Sequence, residues 1–414
     1  MTIKTSVAII GAGLAGLACA RELQKNKIDF QIIEKSDSVG GRIKTDVIDG
    51  FTLDRGFQLY NPSYSEGMKL LNYEELDLQK FTRGIAIRDG KRLRLIEDPK
   101  SNFSSIFKTI KDFPGNPISH LALLKYFLTY LIQSDAQIAI SKDISAKQAL
   151  NDAGVKNSLY EELFRPFLAG VFLESELVTS RKFMDIVIKT FFKGTPSVPS
   201  AGMQQIPLQI ASQIDKENFH FNSEVLKIEN NTIYTDTQVF EAKKVVIATD
   251  YSITKKWIDL PIKKENSVTT WYFEGNKEIA TVAKSKPILF VDATNSGPLV
   301  NAVVISNAAK SYAPEGKVLV STSAIEDKTK TSVSDVLKHL SFLYGINTES
   351  FKLINKYEIT NALPQMLAPF TTSNSNQLSE NLFVAGDHRA TSSIQGALLS
   401  GRNTATVVKV SLDA

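Results

Sequence analysis

Cysteine and histidine are scarce in this chain. Its 414 residues include one cysteine, Cys19, and four histidines that lie far apart in the sequence. A single thiol excludes an internal disulfide, a cysteine-based metal site and a redox-active Cys-x-x-Cys pair. Because the histidines show neither a His-x-His nor a His-x-x-x-His spacing, a metal centre is not expected. This residue usage suits a reducing compartment, so we expect a cytoplasmic protein.

Long apolar runs are also lacking. No stretch reaches the roughly 18 uninterrupted apolar residues that a membrane-spanning helix needs. Residues 121–132 come nearest, but Lys125 interrupts them. We interpret this segment as a buried helix of a substrate lobe, with a peripheral membrane contact or an oily channel wall as the alternative.

An excess of charge of either sign is missing as well. The net charge of +4 is small for this length, and no dense block of lysine and arginine predicts nucleic-acid binding.

The first apolar run, residues 7–10, leads directly into glycines without a cleavage-site pattern, so no signal peptide is expected. With 43% apolar residues most of the chain can fold, and its length favours two or three lobes.

A glycine-rich turn follows the first predicted strand, in the sequence VAIIGAGLAGL. Gly11, Gly13 and Gly16 have the spacing of a dinucleotide-binding turn that opens a helix. Gly11 would allow the tight turn, Gly13 the approach of a pyrophosphate to the helix N-terminus, and Gly16 the packing of helix on strand. Glu34 ends the second predicted strand, 18 residues after Gly16. Its carboxylate would accept the ribose hydroxyls and repel a 2′-phosphate.

A second glycine pair and an arginine follow this acid, in the sequence VGGR. Gly40, Gly41 and Arg42 would supply a flexible backbone and a guanidinium near phosphate or the flavin edge, which an NAD site does not need. With this set, and with DRGFQLYNPSY, VVIAT and LFVAGDHRATSSIQGALLSG, the chain resembles the flavin-containing amine oxidase superfamily. That superfamily includes monoamine and polyamine oxidases, protoporphyrinogen oxidase and the phytoene-type carotenoid desaturases.

The resemblance implies FAD as the cofactor. The binding is expected to be noncovalent, because no cysteine lies near the C-terminal motif to form a thioether. Asp387 would accept a hydrogen bond from the ribitol and phosphate part, and the helix that begins near Ile394 would point its N-terminus at the flavin pyrimidine. The cofactor-binding residues carried over in this way are Gly11, Ala12, Gly13, Leu14, Ala15, Gly16, Glu34, Lys35, Gly40, Gly41, Arg42, Gly56, Phe57, Gln58, Val225, Ala248, Thr249, Gly386, Asp387, Ser393, Ile394 and Ala397.

The order of predicted strands and helices indicates an α/β fold built from interleaved segments. We expect a Rossmann-like FAD-binding domain assembled from discontinuous segments, with an inserted α+β substrate domain that has a mixed sheet and a helical lobe. The FAD-binding segments are 1–80, 196–255 and 356–414, and the substrate segments are 81–195, with the helical lobe, and 256–355, with the sheet. The strand near residue 383 is expected to join the same sheet as the strand at residue 7.

These features predict an FAD-dependent oxidoreductase that dehydrogenates a lipophilic small molecule, such as a polyene, an isoprenoid or a tetrapyrrole-like compound. The substrate would give a hydride to the flavin. Since the chain has one dinucleotide motif and one cysteine, we expect the electrons to pass to oxygen or a quinone. The catalytic residues and the oligomeric state are left open.

An amine oxidase acting on a small amine is the alternative function. It would use an aromatic cage and a nearby lysine, for which the sequence offers residues 271–273 and Lys284 or Lys286, although core packing explains each of these residues better. A redox-neutral FAD-dependent isomerase is the further alternative.

Overall fold

The computed structural model of the protein describes residues 2–98, 111–130, 132–260, 264–371 and 374–413. Within these parts the strands are β1 (Thr2–Ile10), β2 (Phe30–Ile33), β3 (Thr45–Ile48), β4 (Phe51–Asp54), β5 (Leu78–Lys80), β6 (Gly84–Asp89), β7 (Arg92–Glu97), β8 (Ser197–Pro199), β9 (Phe219–His220), β10 (Val225–Glu229), β11 (Thr232–Thr235), β12 (Val239–Ile247), β13 (Glu265–Gly275), β14 (Leu289–Asp292), β15 (Asn301–Val304), β16 (Val318–Ile325), β17 (Lys352–Pro364) and β18 (Leu382–Val384). The α-helices are α1 (Leu14–Lys25), α2 (Gly67–Leu70), α3 (Tyr73–Leu76), α4 (Pro117–Tyr130), α5 (Asp135–Ile140), α6 (Ala146–Asp152), α7 (Arg165–Phe172), α8 (Arg181–Lys193), α9 (Gln205–Ala211), α10 (Tyr251–Thr254), α11 (Lys277–Thr281), α12 (Val333–Tyr344) and α13 (Ile394–Asp413).

The first sheet joins strands from both ends of the chain. Its order is β10-β11-β12-β1-β2-β9, and β18 pairs with the end of β12. The strands β18, β12, β1, β2 and β9 run parallel, with Ile10 opposite Ile247 and Ile247 opposite Val384. Helices α1 and α13 pack against each other so closely that a Cβ on Gly401 would lie 2.1 Å from the carbonyl oxygen of Ala15. The expected shared sheet of the first and last segments is therefore confirmed.

The second sheet is mixed, in the order β17-β13-β16-β15-β14-β6-β7. Only the β14–β6 pair within this path is parallel, and β6 and β7 form a hairpin around Asp89 and Arg92. One face of the sheet packs against a core that contains Trp271, Phe273 and residues of α12. The other face carries Thr270 and Tyr272, because side chains alternate along β13.

A helical lobe, α4 to α8, packs beside the second sheet. Its core includes Leu123 and Tyr126 of α4, Phe172 of α7 and Phe183 of α8. A π-helical turn, Tyr160–Phe164, leads directly into α7. The helical character predicted for the part of this segment before residue 111 lies outside the described residues. No helix in the described ranges has the length and apolar character needed to span a bilayer.

The α/β fold with a discontinuous Rossmann-like sheet, a mixed second sheet and a helical lobe is thus confirmed. The exact domain boundaries stay a prediction. The division expected after residue 355 falls inside β17, which runs from the second sheet towards the C-terminal segment without a break.

Candidate functional site

The turn between β1 and α1 leaves room at Gly13 and is tightly packed at its other two glycines. Gly11 has a φ of +104°, and a Cβ there would lie 2.9 Å from the carbonyl oxygen of Ala248. A Cβ on Gly16 would lie 2.0 Å from the carbonyl oxygen of Gly11. At Gly13 the nearest described atom to such a Cβ is the Cα of Gly41, at 4.0 Å. This space adjoins the N-terminus of α1, where no side chain of the described residues caps the amides.

Glu34 lies directly beneath this turn and is 7% exposed. Its Oε2 accepts a hydrogen bond from the amide of Ala12 at 2.8 Å, and its Oε1 accepts one from the amide of Ser36 at 2.8 Å. These bonds fix the carboxylate and leave lone pairs for hydroxyl donors, which fits a ribose. Lys35 is exposed. Val225 begins β10 next to Ser223, whose amide donates to the carbonyl oxygen of Glu34 at 3.0 Å.

The Gly40–Arg42 segment connects this turn to the C-terminal motif. The amide of Gly40 donates to the carbonyl oxygen of Ala12 at 2.9 Å. Gly41 has a φ of +58°, and a Cβ there would lie 3.3 Å from the Cα of Gly13. Arg42 places Nη2 2.7 Å from Oδ1 of Asp387, which is 4% exposed. Residues 11–16 and 386–387 therefore meet across one cleft, although they lie at opposite ends of the chain.

Arg42 is surrounded by carboxylates. Its Nη1 donates to the carbonyl oxygen of Ala362 at 2.9 Å. Burial by itself lowers the pKa of Arg42, but Asp387, Asp250 and Glu265 raise it above its ordinary value. Protein groups therefore bind the guanidinium. It holds residues of the cleft together and also faces the cleft.

Asp387 is followed by a buried turn that leads to α13. The amide of Gly386 donates to Oγ of Ser400 at 3.1 Å. A Cβ on Gly386 would lie 2.3 Å from His388, which is itself buried and packs 5.7 Å from the ring of Tyr251. We therefore assign His388 to support of the loop.

The first turn of α13 begins at Ile394, close to this loop. The hydroxyl of Ser393 accepts a hydrogen bond from the amide of Gly396 at 3.0 Å, and its carbonyl oxygen accepts one from Ala397 at 2.9 Å. Ser393 thus satisfies one of the amides that a helix N-terminus leaves without an intrahelical partner.

The end of β12 closes the same cleft beside β1. The amide of Ala248 donates to the carbonyl oxygen of Ile10 at 2.8 Å. The hydroxyl of Thr249 lies 2.9 Å from that of Thr254 in α10. Both residues therefore stand at the carboxyl ends of parallel strands, where ligands of open α/β sheets bind.

The Gly56–Gln58 loop lies between the two sheets. A Cβ on Gly56 would lie 2.8 Å from Cδ1 of Ile359, and the amide of Phe57 donates to Oγ1 of Thr270 at 3.3 Å. Gln58 donates to the carbonyl oxygen of Arg42 at 3.2 Å. The loop thus touches both the second sheet and the Gly40–Arg42 segment.

A buried carboxyl group anchors this loop from behind. Asp54 is 1% exposed and accepts hydrogen bonds from Thr45 at 2.6 Å, Tyr312 at 2.8 Å and the amide of Met203 at 2.8 Å. Burial raises the pKa of Asp54, although these three bonds oppose the shift. Tyr272 donates to the carbonyl oxygen of Asp54 at 2.9 Å. Sequence reasoning did not find this anchor, because its partners are distant along the chain.

The sheet face opposite Gly56 is lined mainly by apolar side chains. Two hydroxyl groups, of Thr270 and Ser323, lie 3.2 Å apart at its centre and are buried. On the same face lies a packed apolar group, the sheet-face cluster, which consists of Ala169, Leu173, Val268, Val300, Ile325, Ile359 and Ala362. These residues were not among the candidates found in the sequence. The alternation along β13 could have placed Thr270 and Val268 on the face opposite Trp271.

The aromatic residues considered for an amine cage do not form one. Trp271 and Phe273 lie in the core behind the second sheet, and Tyr272 donates to Asp54 on the other face. Lys286 pairs with Glu97 at 2.5 Å, and Lys284 lies in a 3₁₀ turn. Core packing therefore explains the three aromatic residues, and the two lysines lie outside that core.

Comparisons with known proteins agree with this architecture. A model of the family described as flavin containing amine oxidoreductase matches residues 14–409. A putrescine oxidase from Kocuria rosea is 34% identical over 96 residues, which are 23% of this chain and 19% of that protein. A 1-hydroxycarotenoid 3,4-desaturase from Flavobacterium is 23% identical over 256 residues, which are 54% of this chain and 51% of that protein. The match thus spans only part of these curated relatives.

A solved structure has the same fold over its whole length. It is a protein from Exiguobacterium that is provisionally described as a protoporphyrinogen oxidase. The two chains superpose with a TM-score of 0.73 at 15% identity, and the match covers 100% of this chain and 99% of the other. Since the family model spans nearly the whole sequence, the chain belongs to the flavin containing amine oxidoreductase family of FAD-dependent oxidoreductases.

Proposed function

We propose that this protein binds FAD noncovalently and dehydrogenates a lipophilic small molecule at the face of the second sheet that carries Thr270. The observation that carries the proposal is the sheet-face cluster, whose apolar side chains meet the Gly56–Gln58 loop through Ile359. An apolar surface with two hydroxyl groups at its centre suits a hydrocarbon-rich molecule better than a charged amine. A polyene, an isoprenoid or a tetrapyrrole-like compound has this character.

The residues of the cleft fit FAD. The space at Gly13 and the uncapped amides of α1 would hold the pyrophosphate, and the fixed carboxylate of Glu34 would hold the ribose. Asp387, which lies beside Arg42, would accept from the ribitol hydroxyls. When bound, FAD supplies the acceptor for two electrons and a proton from the substrate.

The protein's own contribution would be orientation and exclusion of water. Thr270 is held by Ser323 and by the amide of Phe57, so its position relative to the loop is fixed. The lobe helix α7 contributes Ala169 to the sheet-face cluster. Such positioning accounts for much of the barrier reduction in reactions that need no nucleophile from the protein.

Noncovalent binding is proposed because Cys19 is the only cysteine and is fully buried in α1. Burial raises the pKa of its thiol well above the ordinary value, which makes it unreactive. Oxygen or a quinone would take the electrons. A peripheral membrane contact is compatible with this function but is not required by it.

Oxidation of a small amine is the second candidate function. It is favoured by the similarity to the putrescine oxidase from Kocuria rosea over 96 residues. Against it stands the burial of Trp271, Tyr272 and Phe273, which leaves these rings unable to form a cage around a cation.

Anaerobic titration of the purified yellow protein tests the proposal. We expect a polyene to bleach the flavin absorbance and putrescine to leave it unchanged. Bleaching by putrescine alone would reverse the order of the two candidates. Conversion of a polyene to an isomer without bleaching would favour a redox-neutral isomerase. A colourless protein that does not take up added FAD would overturn the proposal.

A further inference from the structure

The helical lobe exposes a row of large apolar side chains. On α4 the exposed fractions are 80% for Ile118, 67% for Leu121, 52% for Leu124 and 58% for Leu128. Ile132, after this helix, and Ile140, in α5, are also exposed, by 77% and 87%. We call these six residues the lobe face.

The helix α4 is apolar on its inner side as well as on the lobe face. Leu123 and Tyr126, on that inner side, are 5% and 2% exposed and belong to the lobe core. Positions 118, 121, 124 and 128 recur every three or four residues, so they share the outer side of α4. A row of this kind on a monomer marks an interaction surface.

The only Asp, Glu, Lys or Arg residue of α4 is Lys125, which is exposed. Before and after this helix Lys111 and Lys142 are exposed as well, and so is Asp152 of α6. Asp112 is buried and pairs with Arg92 at 2.8 Å, and Asp143 accepts a hydrogen bond from Ser180 at 2.8 Å. The outer side of α4 therefore presents apolar groups together with an ammonium group, which is complementary to the boundary of an anionic bilayer.

We propose that the lobe face docks the protein onto an anionic lipid bilayer, with α4 lying in the plane of the interface. The helix has 14 residues, about 21 Å at 1.5 Å per residue, which suits a helix lying along the surface. Lys125, between Ile118 and Leu121 on the helix surface, can extend its ammonium group to the lipid phosphates.

The lobe face is linked to the proposed substrate side of the second sheet through the protein interior. The lobe core behind α4 includes Phe172 of α7, and Ala169 of the same helix belongs to the sheet-face cluster. If the substrate is lipophilic, as the proposed function holds, a bilayer-docked lobe places this cluster near the phase in which such a molecule dissolves. This link rests on the proposed function, whereas docking itself does not.

Vesicle co-sedimentation of the FAD-bound full chain tests the docking. The probes are vesicles of phosphatidylcholine alone and of phosphatidylcholine mixed with phosphatidylglycerol. The lobe variant is Leu121→Ser with Leu124→Ser and Leu128→Ser. The control variant is Val47→Ser with Leu226→Ser and Val410→Ser, whose side chains are exposed by 72%, 63% and 65% elsewhere on the surface. Flavin absorbance and the mass in solution are measured on each preparation.

We expect the wild type and the control variant to bind the anionic vesicles more strongly than the neutral ones. The lobe variant should bind anionic vesicles at least about tenfold more weakly, because three leucine side chains leave the interface. Equal binding by lobe variant and wild type, or no binding of the wild type, would overturn the proposal. So would a dimer without lipid that the lobe variant converts to a monomer, because a second copy would then cover the face. A purified chain that does not take up added FAD but still binds vesicles would contradict the proposed function and support the docking.

Discussion

At the level of single residues, Gly13 and Gly16 have different tasks in one turn. Gly13 has φ −74° and ψ 177°, which any residue can adopt, and a Cβ there would meet no described atom closer than 4.0 Å. A Cβ on Gly16 would lie 2.0 Å from the backbone of Gly11. The first glycine therefore leaves space beside the N-terminus of α1, and the second permits the fold.

Gly13→Ala is expected to weaken FAD binding without unfolding the protein. The added methyl group would occupy the space proposed for the pyrophosphate, so the dissociation constant should rise at least about tenfold. The melting temperature of the apoprotein should stay unchanged. Gly16→Ala is the comparison, since it should cost at least about 3 kcal/mol of folding free energy. Flavin fluorescence titration and urea unfolding measure the two effects, and unchanged FAD affinity in Gly13→Ala would contradict the assignment.

Arg42→Met should destabilise the protein through Asp387. The variant leaves a carboxylate that is 4% exposed without its cation at 2.7 Å. We expect a loss of about 2 kcal/mol, below the usual range for fully buried pairs because Arg42 is partly exposed. Adding Asp387→Asn should restore part of this loss. Arg55→Met is the control, because Arg55 and Asp46 form a more exposed pair at 2.8 Å whose loss should cost less than about 1 kcal/mol. Equal losses in urea unfolding would contradict the argument.

At the level of elements, the loop after β14 is organised by one carboxylate. Asp292 accepts hydrogen bonds from Thr294, Ser296 and the Nε2–H of His339, at 3.1 Å for the last. His339 accepts the amide of Leu299 through Nδ1 at 2.9 Å, so its proton is on Nε2. Both ring nitrogens are therefore occupied, and the pair joins α12 to β14 without a free base.

Asp292→Asn should destabilise this loop in a pH-dependent way. Burial by itself raises the pKa of Asp292, but the hydrogen bonds from His339 and Thr294 lower it below the ordinary 3.8. A carboxylate with a lowered pKa stabilises the fold above the ordinary value and loses that contribution as the pH falls below it. We expect a loss of about 2 kcal/mol at neutral pH that shrinks below about pH 3. Urea unfolding across this pH range measures it, and a loss independent of pH would count against the ionised form.

The elements that could be predicted from the sequence are those whose signal is local. The Gly11–Gly16 turn, the Asp89–Arg92 hairpin and the helix after Ser332 each carry their turn or cap residues within a few positions. The pairing of Arg42 with Asp387 and the anchoring of Asp54 join residues far apart in the chain, so composition and spacing could not reveal them. For the same reason the sequence allowed Lys286 to be proposed near the flavin, whereas in the structure Lys286 pairs with Glu97.

At the level of the whole molecule, a group of charges joins the two sheets. Glu265 begins β13 of the second sheet, while Arg42, Asp250 and Asp387 belong to the segments around the first. Three carboxylates thus share one guanidinium at the place where the proposed cofactor cleft meets the substrate side. Such an arrangement makes the stability of the junction depend on the carboxyl group whose ionised form is least favoured.

Glu265 is that carboxylate, and its ionisation should weaken the junction as the pH rises. Burial first, and then Asp250 and Asp387, raise the pKa of Glu265 from 4.5 to about 6, while Arg42 opposes them. The folded state holds the proton of Glu265 more tightly than the unfolded state does. The stabilising contribution of this proton is therefore complete below pH 4.5 and is lost as the pH rises to about 6. We expect Glu265→Gln to remove about 1 kcal/mol of this fall, a small value because the side chain is only half buried. Urea unfolding of both proteins between these pH values gives the difference, and parallel stability curves would show that Glu265 ionises freely.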